Sequence, residues 1–425
     1  MEASLIFALA AFALMFLGIP IAVCLGLGAF IAILTTGQDI RLCTVMMYDA
    51  LDTYILIAIP FFMLAGNIMA RGGMANRIFD FANAAVGGMR GGLGAVNVVG
   101  SMIFGGMSGS ATADAAGLGI IEIQEMVRYK YPLKYAAGIT LVTSCMSSII
   151  PPSIIMVVYG IYAGESVAKM LVAGTLPGML VGVACLVTNY VMAIKYGWGA
   201  GERFQWRRVL GASRDAGLAI VTPVIIMGGI LLGTVTPTEA SCVAVLYALF
   251  VTVFVYKELK ISQLPGVIKD TAVLAGVVMF IISTASLSSH LLTADNVPHV
   301  AAQFISTLTQ HPTVGLGLVV IFLLFVGLFM EGIAAIIVLS PIFLPIAKAW
   351  NVDPIHFGVV MVTCMAIAVM TPPVGVCIYT ICSISKLSME DVAKAILPFS
   401  FGLFFALALI VLIPSISLIL IKIFW

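Results

Sequence analysis

Long apolar runs recur along the whole of this sequence and restrict what it can fold into. Residues 171–194 and 396–421 are predominantly apolar, and each exceeds the roughly 20 residues with which an α-helix crosses about 30 Å of hydrocarbon. The first long run, residues 5–34, has neither a basic start nor a small-residue cleavage site, so we expect a retained span rather than a signal peptide. No polar stretch is long enough for a separate soluble domain. The sequence therefore predicts a single all-α, polytopic membrane protein over residues 1–425.

The composition argues against several kinds of partner and chemistry. Hydrophobic side chains make up 62% and charged side chains 9% of the chain, whereas soluble proteins carry about 25% charged residues. The net charge of +1 and the lack of a basic stripe in the sequence argue against a nucleic-acid partner, and the lipid bilayer is the expected environment. The eight cysteines and four histidines show no metal-binding spacing, and we expect the thiols to be small buried side chains.

Two regions of the sequence are too long for one crossing and are broken in the middle by glycines and polar residues. They are residues 93–126 and 313–349, and we interpret both as re-entrant helical hairpins. With residues 5–34 as one span, 16 of the 20 Lys and Arg residues (20 − 4) then lie on one side of the membrane. Cytoplasmic segments are enriched in these residues, so the first hairpin is predicted to enter from the cytoplasm and the second from outside. The four basic residues on the outer side are Arg41, Lys169, Lys348 and Lys422.

Each hairpin is followed by a helix that contains a Pro-Pro pair. The pairs lie in SSIIPPSIIM and AVMTPPVGVC, and their offset is 221 residues (372 − 151). Similar units of opposite membrane orientation are typical of secondary transporters with inverted-topology repeats. We predict such repeats with these ranges: a first repeat over 1–200 with hairpin 93–126 and broken helix 135–160, an interfacial linker helix over 201–216, and a second repeat over 217–425 with hairpin 313–349 and broken helix 357–383.

The Pro-Pro pairs and the hairpin tips bring polar groups into the middle of the membrane. A Pro-Pro pair removes two backbone N–H donors and unwinds the helix, and the freed carbonyls are tolerated only where they face protein or a polar cavity. Such carbonyls and helix ends suit Na⁺, which prefers oxygen ligands. The arms of the first hairpin are too short to cross completely, so Ser108-Gly109-Ser110 is expected near the centre, with Glu331 of the second hairpin at a comparable depth.

These polar residues have alternative roles that the sequence leaves open. Small residues such as Ser108, Ser110 and Thr112 also let helices pack closely in a membrane. Asp114 and Glu331 are either functional intramembrane carboxylates or charges that stabilise the N-terminus of a helix. Both roles are compatible with their positions in the two hairpins.

The tetrapeptide G-M-S-G at residues 106–109 suggests a different functional class. Rhomboid-type intramembrane proteases carry a nucleophilic serine in a GxSG motif, and that serine needs a histidine on a neighbouring helix as its base. His356 and His290 are expected near helix ends, away from this serine, so the sequence favours a transporter over an enzyme. A channel or passive assembly subunit, and an ion-coupled transporter of another inverted-repeat family, are further alternatives.

Four motifs, in order, resemble the large membrane subunit of the tripartite ATP-independent periplasmic (TRAP) transporters, of the DctM and SiaM type. They are GGMSGSATADAAGLG, IIPPSIIMVVYG, LFMEGIAAIIVLSPIFLP and MTPPVGVCIY, and the resemblance covers essentially the whole chain. It implies an elevator-type importer in a bacterial inner membrane, driven by more than one Na⁺, in which a transport domain with both hairpins slides against a scaffold. It also implies a separate small membrane subunit of several helices and a periplasmic binding protein. The implied cargo is a small organic anion of the sialic acid or C4-dicarboxylate type.

The resemblance also implies roles for particular residues. A first sodium site would combine the tip Ser108, Gly109 and Ser110 with the carbonyls around Ser147, Ile150 and Pro152. A second sodium site would combine Gly327 with Ala368, Thr371 and Val374. Cargo would contact Ser108, Ser110, Thr112 and Glu331. The family more often has Asp where this chain has Glu331, and the role of Asp114 stays open.

Overall fold

The computed structural model describes residues 2–198, 205–309, 311–372 and 375–425, without the side chain of Ser306. Over these residues the chain is helical and has no β-strand. Seven helical segments of this part are long and apolar enough to cross a membrane: Tyr54–Arg71, Val167–Tyr196, Trp206–Leu231, Pro237–Val255, Ile261–Ala294, Gly332–Ala349 and Met389–Leu412. The prediction of an all-α polytopic membrane protein is confirmed.

Helices before residue 199 end at glycines, prolines or short turns. They are α1 (Glu2–Phe16), α2 (Ile21–Thr35), α3 (Arg41–Asp49), α4 (Ala58–Arg71), α5 (Met74–Val86), α6 (Gly92–Ser108), α7 (Ala111–Ala116), α8 (Leu118–Arg128), α9 (Leu133–Ser144), α10 (Ile154–Ala163), α11 (Val167–Ala173) and α12 (Thr175–Tyr196). Two 3₁₀ turns extend this set, Tyr54–Ile57 before α4 and Cys145–Ser148 after α9.

The part of the chain from residue 205 onward repeats this alternation of long and short helices. Its helices are α13 (Trp206–Leu231), α14 (Pro237–Leu249), α15 (Leu264–Ala294), α16 (Val297–Leu308), α17 (Pro312–Gly327), α18 (Gly332–Ala349), α19 (Pro354–Ala368), α20 (Val376–Ser385), α21 (Met389–Leu412) and α22 (Ser415–Phe424). A π-helical segment, Phe250–Val255, continues α14.

The apolar run 5–34 is two helices, so the prediction of one span there is wrong. The chain breaks where Gly18 adopts a left-handed φ of 78° and Pro20 lacks a backbone donor, and α1 packs back on α2. The Ser4 N–H donates to the Asp295 carboxylate at 2.7 Å, which places the start of α1 beside the end of α15. The predicted count of basic residues on each side is unchanged, because no Lys or Arg precedes Arg41.

Both predicted hairpin regions form pairs of packed helices. In the first, α6 ends at Gly109, whose φ of 62° is left-handed, and α7 begins two residues later, with α8 packing along α6. In the second, α17 ends at Gly327 and α18 begins at Gly332, and the two helices pack on each other. Each pair therefore reverses direction within a few residues.

The helices that carry the Pro-Pro pairs are interrupted at those pairs. The first is α9 followed by α10, and the second is α19 followed by α20; Pro373 and Val374 lie outside the described residues. α6 and α8 pack on α9, while α17 and α18 pack on α19. The second segments cross over, because α10 packs on α18 and α20 packs on α7. Each hairpin thus contacts the broken helix of its own half and of the other half.

The stretch predicted as an interfacial linker helix, residues 201–216, joins the two halves. Residues 201–204 lie outside the described residues. From Trp206 onward the chain forms one continuous helix, α13, which runs to Leu231 with Pro223 inside it. Residues 206–216 are therefore the first part of a longer helix rather than a separate element.

Three ion pairs join sequence-distant segments of the chain. Arg77 contacts Glu258 at 2.6 Å, Lys134 contacts Asp391 at 2.7 Å, and Arg71 pairs with Asp270. All three basic residues belong to the side predicted to be cytoplasmic. The predicted cytoplasmic side therefore collects charges that the apolar middle of the molecule could not accommodate.

Candidate functional site

A cavity of about 630 Å³ lies where the two hairpin tips meet α4, α15 and the second segments of the broken helices. All the residues predicted to contact cargo line this cavity. They are Ser108, Ser110, Thr112 and Glu331. The structure therefore brings together, across more than half of the chain, the residues that the sequence singled out separately.

The tip of the first hairpin supplies hydroxyl groups to this cavity. Ser110 and Thr112 share a hydrogen bond of 2.9 Å between their hydroxyls. The Ser108 side chain is 1% exposed, and its hydroxyl has no hydrogen-bond partner among the described residues. Gly66 of α4 lets this tip approach closely, because a Cβ there would lie 3.1 Å from the Ser108 Cα.

The predicted residues of the first ion site lie against one another. The Ile154 N–H at the start of α10 donates to the Gly109 carbonyl at 3.2 Å. A Cβ on Gly109 would stand 2.2 Å from the Pro152 carbonyl oxygen, and this closeness explains why only glycine fits. A Cβ on Gly106 would lie 3.8 Å from Ile150 Cγ2. The hairpin tip therefore packs directly against the Pro-Pro break.

Ser147 completes this group from the 3₁₀ turn that follows α9. It is fully buried, and its hydroxyl has no hydrogen-bond partner in the part of the chain that the structure describes. A Cβ on Gly105 of α6 would lie 2.7 Å from that hydroxyl oxygen. Gly105, which the sequence reasoning did not single out, therefore sets how closely α6 approaches the break.

The predicted second ion site repeats this close approach. A Cβ on Gly327 would lie 2.4 Å from the Ala368 Cβ, so Gly327 and Ala368 stand where Gly105 and Ser147 stand in the first half. The Thr371 hydroxyl donates to the Ile367 carbonyl at 2.7 Å. Val374, the remaining predicted ligand, lies outside the described residues.

Glu331 caps the second helix of its hairpin. Its Oε2 accepts hydrogen bonds from the Ile333 N–H at 2.8 Å and from the Ala334 N–H at 3.2 Å. A carboxylate at this position also complements the partial positive charge of a helix N-terminus. Since Glu331 lines the cavity as well, capping and contact with cargo are compatible roles.

Asp114 lies behind the tip rather than in the cavity. Its carboxylate is 1% exposed, and the Ser101 and Ser147 hydroxyls face it outside hydrogen-bond geometry. Glu122 of α8 is equally buried, and its carboxylate lies near enough to Asp114 for the two charges to repel each other. The sequence reasoning did not identify Glu122, because it lies in a helix whose other face is polar.

Other polar residues, which the sequence did not assign to cargo binding, also line the cavity. They are Asn67, Arg71, Ser148 and Thr380. Asn67 donates to the Thr271 hydroxyl at 2.8 Å. The spacing of Asn67 and Arg71, four residues on one helix, places both on one face and could have identified them. Among the described residues that line the cavity there is no histidine, and His356 instead lies 3.2 Å from the Ser417 hydroxyl.

The fold and the cavity together define a class: a polytopic helical membrane permease whose two hairpin tips converge on one cavity. The model of the tripartite ATP-independent periplasmic transporter family, DctM component, matches residues 8–416, and the chain belongs to this family. The resemblance based on the four motifs is thereby confirmed.

Relatives support this assignment along nearly the whole chain. A C4-dicarboxylate TRAP transporter large permease protein DctM of Pseudomonas aeruginosa is 40% identical over 391 residues, 92% of each chain. A sialic acid TRAP transporter large permease protein SiaM of Vibrio cholerae is 35% identical over 97% of this chain and 96% of its own. The solved YdaH transporter of Alcanivorax borkumensis has a TM-score of 0.66, covering 97% of this chain and 98% of its own at 12% identity, which shows a shared fold. Both relatives are named as permeases rather than as enzymes.

Proposed function

We propose that this chain is the large membrane subunit of a Na⁺-coupled TRAP transporter that imports an organic acid anion across a bacterial inner membrane. The observation that carries the proposal is the cavity of about 630 Å³, which residues of both hairpins line. Relatives are named for C4-dicarboxylates, sialic acid, isethionate and 2,3-diketo-L-gulonate. These compounds are all organic anions, and a C4-dicarboxylate or a sialic acid is the cargo we favour.

In this proposal the first hairpin tip holds the carboxylate of the cargo. The hydroxyls of Ser110 and Thr112 lie 2.9 Å apart, so that both can reach one carboxylate when the O–H group that joins them turns toward the cargo. Ser108 also lines the cavity, and its buried hydroxyl has no partner among the described residues. Glu331, on the opposite tip, would accept a hydrogen bond from a hydroxyl or amide group of the cargo.

Two sodium ions would bind as co-transported cargo where each hairpin meets its broken helix. The first site fits oxygen ligation, because the buried hydroxyl oxygens of Ser108 and Ser147 have no partner among the described residues. The Pro152 carbonyl oxygen also lies against Gly109 of the same tip, and Ile150 lies near Gly106. The second site, at Gly327, Ala368, Thr371 and Val374, would rest on backbone carbonyls and the Thr371 hydroxyl oxygen. Neither site needs a cluster of acidic, Cys or His ligands, and the described residues contain no such cluster.

Ion binding would be coupled to cargo binding through the shared tips. Gly109 contacts the Pro152 carbonyl at the proposed ion site and also lines the cavity, so an ion that orders this junction also orders the hydroxyls that face the cargo. The inward movement of each Na⁺ across an inside-negative membrane potential releases about 2.3 kcal/mol of free energy per 100 mV. An elevator-type movement of the loaded hairpins would then carry ions and cargo together.

The proposal includes two partners, a separate small membrane subunit and a periplasmic binding protein that delivers the cargo. The sialic acid TRAP transporter permease protein SiaT of Haemophilus influenzae supports the first, since this chain spans 66% of its length. An isethionate TRAP transporter permease protein DctMQ of Oleidesulfovibrio alaskensis is likewise longer than this chain. The additional length of these proteins leaves room for a membrane component that this chain would obtain from another subunit.

Uptake into proteoliposomes tests the proposal. The chain is reconstituted with its small subunit and binding protein, and uptake of succinate, N-acetylneuraminate and isethionate is measured with an inward Na⁺ gradient. We expect uptake of at least one of these anions that depends on the Na⁺ gradient. With two Na⁺ per cargo, an inside-negative potential should increase the uptake of a monoanion such as N-acetylneuraminate and leave that of the succinate dianion unchanged. Equal uptake with K⁺ in place of Na⁺ would contradict the proposal. Equal uptake driven by ATP alone or by a proton gradient alone would also contradict it.

A further inference from the structure

The charge of the cavity is unusual for a site that takes an anion. Among the described residues that line it, only Arg71 and Glu331 are charged. The Glu331 carboxylate is committed to the N-terminus of α18 through its bonds to Ile333 and Ala334. Arg71 is therefore the cation that an anion entering this cavity would meet.

Arg71 stands where it can reach either the cavity or a partner outside it. It is the last residue of α4 and pairs through one terminal nitrogen, Nη2, with Asp270 of α15. Asp270 is not among the residues that line the cavity. A guanidinium has five donors, so this single contact leaves donors that can turn toward a carboxylate.

The junction of α4 and α15 does not depend on this ion pair alone. One turn earlier on α4, Asn67 donates to Thr271 at 2.8 Å, and the two helices pack along each other. The side chains of Arg71 and Asp270 are 51% and 53% exposed, and ion pairs this exposed contribute little to stability. Arg71 can therefore leave Asp270 while α4 stays in place.

We propose that Arg71 is a cargo-binding residue that exchanges Asp270 for the carboxylate of the transported anion. The inference rests on the proposed function, because it requires an anionic cargo in this cavity. A guanidinium binds a carboxylate through two parallel hydrogen bonds, which a lysine cannot reproduce. Asp270 competes with the cargo for Arg71, so it favours release of the anion on the predicted cytoplasmic side.

The test compares variants in the reconstituted complex, using whichever of succinate, N-acetylneuraminate and isethionate the unmodified complex takes up best. Arg71→Gln is expected to raise the half-saturating cargo concentration about tenfold or more, as for a lost charged hydrogen bond, without changing that for Na⁺. Arg71→Lys recovers only part of the loss. Asp270→Asn is expected to lower the half-saturating concentration and to slow turnover, because the competing carboxylate is gone.

A charge swap separates binding of cargo from a structural role. The double variant R71D/D270R restores the ion pair with reversed polarity. Its arginine is at position 270, which does not line the cavity, so we expect cargo affinity to stay low. The matched control is Arg77→Gln, which breaks the inter-segment pair with Glu258 away from the cavity. Recovery of cargo affinity in the swap, or an equal loss in Arg77→Gln, would overturn the inference.

Thermal unfolding of the purified chain gives a readout that does not require transport. At least one of the three acids is expected to stabilise the unmodified chain more than uncharged succinamide does, and Arg71→Gln is expected to abolish that difference. Stabilisation that persists in Arg71→Gln overturns the inference, and so does the lack of any stabilisation of the unmodified chain. If the unmodified complex shows no Na⁺-driven uptake, the proposed function fails, while the unfolding comparison still decides the role of Arg71.

Discussion

Ser108 and Ser147 carry buried hydroxyls whose unmet hydrogen-bonding capacity needs an explanation. Neither oxygen has a partner among the described residues, and a buried polar group left unpaired costs about 1–3 kcal/mol. Sequence-distant parts of the chain bring both to the same Pro-Pro break. The position that corresponds to Ser147 in the second half is Ala368, at an offset of 221 residues (368 − 147). The second proposed ion site therefore lacks the hydroxyl ligand that Ser147 would supply to the first.

Ser147→Ala is expected to weaken Na⁺ dependence without unfolding the protein. Removing one oxygen ligand should raise the half-saturating Na⁺ concentration about tenfold, the equivalent of roughly 1.4 kcal/mol, while the Tm changes little because no existing hydrogen bond is lost. The measurement is uptake against Na⁺ concentration together with thermal unfolding. Ser340→Ala is the matched control, since Ser340 is also buried with an unpartnered hydroxyl but lies inside α18 rather than at a Pro-Pro break. Equal Na⁺ curves for all three proteins would count against the first ion site.

At the scale of helices, the sequence predicts the interruptions that depend on local residues such as proline and glycine. The Pro-Pro pairs and the glycines of the tips interrupt helices by themselves, and α6 begins at Gly92, one residue before the predicted start of its hairpin. The break between α1 and α2 was missed, because no polar residue marks it within the apolar run. Gly105 was missed for another reason: its contact with Ser147 arises only when α6 packs on the 3₁₀ turn after α9.

Gly327→Ala is expected to impair transport by separating α17 from α19. The new methyl would stand 2.4 Å from the Ala368 Cβ, and overpacking of this kind costs about 1–3 kcal/mol. Uptake and Tm should both fall, and the double variant G327A/A368G should recover them because it moves the methyl across the same contact. Gly317→Ala lies in the same helix with nothing within 4 Å of the new Cβ and should be neutral. A double variant no better than Gly327→Ala would contradict this contact.

At the scale of the whole molecule, the hairpins and broken helices of the two halves interlock. α10 packs on α18 and α20 packs on α7, so neither half has an independent centre, and the cavity belongs to both. An inverted-topology repeat explains this interlocking, because two units related by an axis in the membrane plane place their broken segments back to back. The same arrangement predicts that the two hairpins open to opposite sides of the membrane.

Cysteine labelling tests this opposite orientation. Lys130 lies just after the first hairpin and Lys348 lies at the end of the second, and both are exposed. In right-side-out spheroplasts, a membrane-impermeant maleimide should label Lys348→Cys, whereas Lys130→Cys should react only after the membrane is opened. The background is low because six of the eight native cysteines are buried, and the unmodified chain provides its correction. Labelling of both positions from the same side would show that the hairpins share one orientation, and the proposed inverted repeat would then be wrong even if the cavity and its cargo were right.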